Sequence, residues 1–273
     1  MKAWMVILGV GLSVMHGVDA ANVAYDDAAN AAYSDGWQTG DNGGFGFGAW
    51  TLSTVSGDSS RNGHFIGDSS LNGDPAPTGD INTSGAAWGL YANQLVGMEG
   101  PVIGVATAFR PFTGGELAIN QTLRLRMDNG LVDPMQIGPG TVGFSLNRFS
   151  FFFANGATEY RIGNGNPSDA VGLTGTGVPL TYNGLDIAFT RTGTDTYELI
   201  VTPNGGSAVV INGVMPDTGG SLDGITLYNR TAGPGSSRDL FFNNLEIVPE
   251  PTTLGLALTG ALLGLFAHRR RIT

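Results

Sequence analysis

In several segments along the chain apolar and polar residues alternate with a period of two. In Thr122-Leu123-Arg124-Leu125-Arg126-Met127 the leucines and the methionine fall on one side and the arginines on the other. Tyr197, Leu199 and Val201 alternate with Glu198 and Ile200. This spacing marks half-buried antiparallel strands. It predicts strands at Ala49–Ser56, Ala86–Ala92, Ile103–Arg110, Gln121–Asp128, Thr141–Leu146, Phe149–Ala154, Glu159–Ile162, Leu185–Arg191, Thr196–Thr202, Ala208–Ile211, Gly224–Asn229 and Leu240–Val248. Tight-turn chemistry sits between them: Asp128-Asn129-Gly130, Asn155-Gly156, Thr192-Gly193-Thr194-Asp195, Asn204-Gly205-Gly206 and Asn212-Gly213. No convincing amphipathic helix interrupts the series. About a dozen short strands with Gly-rich turns predict an all-β, two-sheet antiparallel β-sandwich. A β-helix is the alternative, but no regular repeat period supports it.

The two ends depart from this pattern. Met1-Lys2 is a small positive start, Ala3 to Met15 is a short apolar run, and Val18-Asp19-Ala20 puts small residues before a cut between Ala20 and Ala21. These are the parts of a secretory signal peptide, residues 1–20. At the other end, residues 248–273 read Val248-Pro249-Glu250-Pro251, then an apolar stretch from Thr252 to Ala267, then His268-Arg269-Arg270-Arg271. The prolines lack backbone donors and hold the chain extended, a form that a protease can grip. The stretch at 252–267 has 16 residues and no charge. A typical span needs about 20, so this is a short, weakly apolar membrane helix. Gly255, Gly260 and Gly264 give it a small-residue face suited to close helix packing. Arg269, Arg270 and Arg271 would stay cytoplasmic. The rival reading is a buried C-terminal helix, and three consecutive arginines speak against it. The exported part is then one domain, residues 21–247.

This tail resembles the PEP-CTERM sorting domain of Gram-negative bacteria in its motif, its apolar span and its arginine end. The resemblance covers the last tenth of the chain. It implies export across the inner membrane and recognition by an exosortase, a membrane cysteine protease. It further implies cleavage near the motif, a transient stay in the membrane, and release to the cell surface or an extracellular matrix of the kind that biofilms hold. The segment Asp26-Asp27-Ala28…Ala32-Tyr33-Ser34-Asp35-Gly36-Trp37, with Ala87 to Asn93 and Phe109 to Phe112, is similar to segments in a group of PEP-CTERM proteins. The order of strands resembles a laminin-G or concanavalin-type jelly roll. In such domains the last strand, here Arg238 to Ile247, often pairs near the first.

Composition narrows the function. Residues 21–250 carry 22 acidic residues against nine arginines, a net charge of −13, and Lys2 is the only lysine of the chain. Nucleic acid, which needs a basic footprint, is excluded as a partner. The absence of cysteine rules out thiol catalysis and Cys-ligated metal. His64 is the only histidine of the exported part, too few for a His-rich zinc site. It has no G-x-S-x-G partner, and Gly63-His64-Phe65 reads as a loop. Glycosidases need two carboxylates about 5–10 Å apart. Glu116, Glu159, Glu198 and Glu246 are scattered on separate segments, so the sequence predicts no catalysis of its own.

Two binding chemistries remain. Calcium takes carboxylate, amide and carbonyl oxygens. Asp26, Asp27 and Asp35, with Asp239 and Asn243, would meet as a structural Ca2+ site if the terminal strands pair, and Asp68 to Asp80 is a further acidic loop. Trp37, Trp50, Trp88 and Tyr91 are candidate platforms for a sugar ring. The sequence therefore predicts a structural or adhesive protein of the cell surface or extracellular matrix. A calcium-dependent module that binds extracellular polysaccharide is the alternative, and a glycoside hydrolase or lyase is a third reading.

Overall fold

The computed structural model describes residues 23–249, apart from 56–60, 73–80, 94, 98–99, 134–139, 167–173 and 217–219. The described strands are β1 (Ala24–Asp26), β2 (Thr51–Val55), β3 (Asn62–Gly67), β4 (Ala87–Ala92), β5 (Leu95–Gly97) and β6 (Gly100–Val102). They continue with β7 (Val105–Pro111), β8 (Thr122–Asn129), β9 (Thr141–Ser145), β10 (Ser150–Ala154), β11 (Glu159–Gly163) and β12 (Thr174–Pro179). The last are β13 (Leu185–Arg191), β14 (Thr196–Pro203), β15 (Val209–Val214), β16 (Gly224–Arg230) and β17 (Leu240–Val248). One sheet has the order β15-β14-β13-β8-β17-β4-β3, with β1 also on β17; the other runs β12-β11-β10-β9-β16-β7-β2. β5 and β6 form a separate hairpin. The ladders of both sheets are antiparallel throughout the described residues, as the period-two pattern requires. They belong to one unit, Asn22–Glu250.

The core lies between the two sheets. The alternation read from sequence is the alternation of burial: Leu123, Leu125 and Met127 are inside, while Arg124 and Arg126 face out. Phe144, Phe149, Phe151, Phe189, Tyr160 and Tyr197 meet across the interior as tilted, stacked or edge-to-face rings. The terminal strands pair, with Ala24 opposite Ile247 and Asp26 opposite Leu245.

All twelve segments read as strands overlap one. Five further strands escaped the pattern. β3 and β12 carry two glycines each, and β12 ends in Pro179, so neither shows an apolar alternation. Both are edge strands, where such residues are tolerated. Two turn expectations also fail. Asn212-Gly213 lies inside β15, where Gly213 accepts the Tyr197 side chain over its bare Cα. Asn129 ends β8, and the chain then leaves for the other sheet, so Asp128-Asn129-Gly130 is no hairpin.

β17 contains one decisive irregularity. Leu240 and Phe242 face the main core, and so do Leu245 and Ile247. That is a change of parity, which one extra residue in the strand must absorb. The register with β8 shifts between Asn243 and Glu246, and Asn244 takes a left-handed φ of 49°. The bulge keeps two more apolar side chains inside and frees Asn243 for other work.

Candidate functional site

The N-terminal segment is anchored by a buried ion pair. Arg110 on β7 and Asp26 on β1 have no exposed side-chain surface, and Arg110 Nη1 donates to Asp26 Oδ2. The guanidinium also donates to Gly48 O (3.0 Å), Gly43 O (2.8 Å) and Asn42 Oδ1 (3.2 Å). It lies 4.8 Å from the ring centre of Trp50 and 5.0 Å from that of Phe47. The Tyr33 hydroxyl donates to Asp26 and accepts from Trp50 Nε1 at 3.0 Å. Burial first of all raises the Tyr33 pKa, so this hydroxyl keeps its proton and remains a donor.

The pinned segment forms one wall of an open cleft of about 860 Å³. Asn30, Ser34, Asp35, Trp37 and Gln38 line that wall; His64 and Ile66 of β3 and Ser84 line the opposite one. Trp37 is 4% exposed. It stands edge-on to Trp50 at 5.0 Å and to His64 at 5.5 Å. Its indole N–H is buried and has no acceptor among the described residues. His64 is on a strand, not in the loop that its sequence suggested. Its Nε2 is 2.9 Å from Thr107 O, and burial lowers its pKa. The neutral ring donates from Nε2 to that carbonyl, which leaves Nδ1 as an acceptor.

The proposed calcium ligands are not gathered into one site. Asp26 is committed to Arg110. Asp27 accepts from Tyr25 OH (2.7 Å) and Ala29 N (2.8 Å). Asn243 does meet the first acidic segment, but as a tie: its Oδ1 accepts from Ala28 N (2.9 Å), and its Nδ2 donates to Ile81 O (3.0 Å) and Ala86 O (2.9 Å). Asp239 lies four residues before Asn243 on the same stretch of chain, about 13 Å away at strand rise. Burial pushes its carboxyl up to about 7. Asp35 is exposed on the cleft wall. Asp68 caps a short turn, accepting from Ser70 N (3.0 Å) and Asn82 Nδ2 (2.6 Å). Among the described residues no group of three or more His, Asp or Glu side chains is placed to hold a metal ion.

The aromatic residues proposed as sugar platforms separate in the same way. Trp50 and Trp88 are 1% exposed and sit 5.4 Å apart at 63°. Rings enclosed by other rings offer no face to a pyranose, so these two are core residues. Trp37 borders the cleft but is 4% exposed and enclosed by Trp50, Trp88 and His64, so it too offers no open face. Tyr91 on β4 is half-buried against Phe65. The glutamates are also dispersed: Glu116 pairs with Arg191 (3.2 Å), Glu246 with Arg124 (3.5 Å), and Glu159 accepts from Gly177 N (2.6 Å).

At the C-terminal end, Val248 is the last ladder residue, paired with Thr122, and Pro249 follows it. Ala20, Ala21, Glu250, Pro251, the 252–267 stretch and Arg269, Arg270 and Arg271 lie outside the described residues. Among the described residues no helix is long and apolar enough to cross a membrane.

No family model matches the chain and no curated protein matches it. Among solved structures, it is similar to a conserved carbohydrate esterase from the Shiga toxin-encoding bacteriophage phi24B, at 11% identity and a TM-score of 0.44, over 74% of this chain and 90% of that one. It is similar to the ligand-binding domain of botulinum neurotoxin serotype D in complex with N-acetylneuraminic acid, at 12% identity and a TM-score of 0.34, over 62% of this chain and 44% of that one. A PL-14 alginate lyase from Aplysia kurodai gives 13% identity and a TM-score of 0.39, over 62% and 85%. Likeness at this level carries no functional argument.

Proposed function

We propose that this chain is an exported β-sandwich of the cell surface or extracellular matrix, sorted through its C-terminal tail by an exosortase-type protease, with a structural or adhesive role and no catalysis of its own. The observation that carries this reading is where the sandwich stops. β17 is hydrogen-bonded through Val248, the first residue of the Val248-Pro249-Glu250-Pro251 motif. A cut after Val248 therefore leaves every ladder of the described sandwich intact. The jelly-roll likeness of the strand order accords with such a detachable module. The test is to replace Pro249-Glu250-Pro251 by three alanines in the native host. The expected result is an unprocessed chain of full mass held in the inner membrane. Unchanged mass and location would end the sorting reading.

The cleft favours a second reading, a glycan-binding module. Asp35, Gln38, Asn30 and Ser34 offer donors and acceptors along the cleft, and the neutral His64 offers a further acceptor. Polar groups converging in an open cleft suit a small neutral sugar. Binding to the host's extracellular polysaccharide should fall at least tenfold on Asp35→Ala, with Tm unchanged because Asp35 is exposed. Loss of binding on chelation would restore calcium to the site; binding that Asp35→Ala leaves untouched would remove the cleft from it.

A further inference from the structure

The outer face of the larger sheet carries a second concavity, of about 400 Å³, distinct from the cleft at Trp37. Its floor is Ala188 of β13, which stands in register between Arg124 of β8 and Ile200 of β14. A methyl group between two long side chains leaves a depression in the sheet face. Arg124 and Arg126, two residues apart on one strand, both look into it. Tyr25, Asn244 and Glu246 close the side toward β1 and β17.

Arginine is scarce in this acidic chain, and most of the others described here have structural work. Arg110, Arg148 and Arg191 are buried and donate to backbone carbonyls, and Arg238 is held by Asp133 at 2.7 Å. Arg124 and Arg126 differ. Their side chains are 54% and 39% exposed, and their carboxylate partners are Glu246 at 3.5 Å and Asp186 at 2.7 Å. Exposed pairs of this kind contribute little and exchange partners readily. The β17 bulge also opens here. Asn244, in its left-handed conformation, lines the groove, and bulges of this kind re-aim side chains beside binding sites.

We propose that this groove binds a carboxylated saccharide, a uronate unit of an acidic polysaccharide. The planar forks of Arg124 and Arg126 match a sugar carboxylate. Ala188 and Ile200 receive the apolar face of the ring, and Asn244 and Thr202 meet its hydroxyls. Each arginine already has a carboxylate beside it, so the groove is locally neutral within a strongly acidic molecule, and a polyanion is admitted there on exchange of Glu246 for the ligand. The inference is independent of how the tail is read and of the cleft.

The test uses the full chain purified in a sugar-free zwitterionic detergent, with polygalacturonate as the probe and dextran as the neutral control. Wild type should bind polygalacturonate and not dextran. The double change Arg124→Ala and Arg126→Ala should weaken that binding at least tenfold with Tm unchanged, and Asp35→Ala should leave it intact. Equal affinity for dextran, full binding by the double variant, or equal competition by polyglutamate would overturn the proposal. The last result would show a general carboxylate contact and not a saccharide site.

Discussion

Asp239 carries a carboxylate that the fold withdraws in part from water without giving it a hydrogen-bond donor among the described residues. Burial alone pushes its pKa from the ordinary 3.8 to about 7. In the window between these values the folded chain holds a proton that the unfolded chain has released. Stability contributed by this group is thus present at pH 4 and lost as pH rises through 7. Asp239→Asn should abolish that decline and raise stability at pH 8 by about 2 kcal/mol, allowing for partial solvent access, as read from Tm between pH 4 and 8. An unchanged pH profile would place the carboxylate in water. Asp26 is the opposite case. It is fully buried where Asp239 is only partly so, and Arg110, Tyr33 and the Asp27 N–H satisfy it. Removing either member of that pair strands a buried charge, at a cost of about 3–5 kcal/mol. In sequence both residues look like free acids. The partner that distinguishes Asp26 lies 84 positions away, so sequence spacing alone does not reveal that Asp26 is held by Arg110.

At the level of elements, β17 organises the larger sheet: it pairs with β8, β4 and β1. Its bulge lets Leu240, Phe242, Leu245 and Ile247 all reach the core. A β-branched residue at Asn244 would have to hold the same positive φ. Asn244→Val should therefore be less stable than Asn244→Gly by about 1–2 kcal/mol in urea unfolding. Equal stabilities would mean that the bulge relaxes when Asn is lost. Strands with strong alternation, such as β8, β13 and β14, were legible because burial on one face of a sheet writes itself into every second residue. The shift of parity in Leu240 to Ile247 was also on the page, but as two half-patterns rather than one. What sequence could not supply was facing. Read from sequence, Trp37, Trp50 and Trp88 are equally good candidates for a platform or a core. Only the pairing of β3 with β4 and the Arg110 anchor turn them inward to form one aromatic cluster behind the cleft.

For the whole molecule, Val248 is the last ladder position among the described residues, and the motif read as an address begins there. Residues 21–250 carry 22 carboxylates against nine arginines, and net charge of this size favours solubility; the groove at Arg124 and Arg126 and the cleft at Trp37 are the two proposed places for a matrix polymer. The proposed sorting requires that the body leave the membrane without its tail. The most direct measurement is the intact mass of the protein recovered from the host's extracellular and surface fractions. The account predicts a chain that begins at Ala21 and ends within Val248 to Pro251, in a cell that also holds a small pool of longer precursor in its inner membrane. A surface-exposed chain that still carries Arg269, Arg270 and Arg271, or one found in the cytoplasm with residues 1–20 intact, would contradict it.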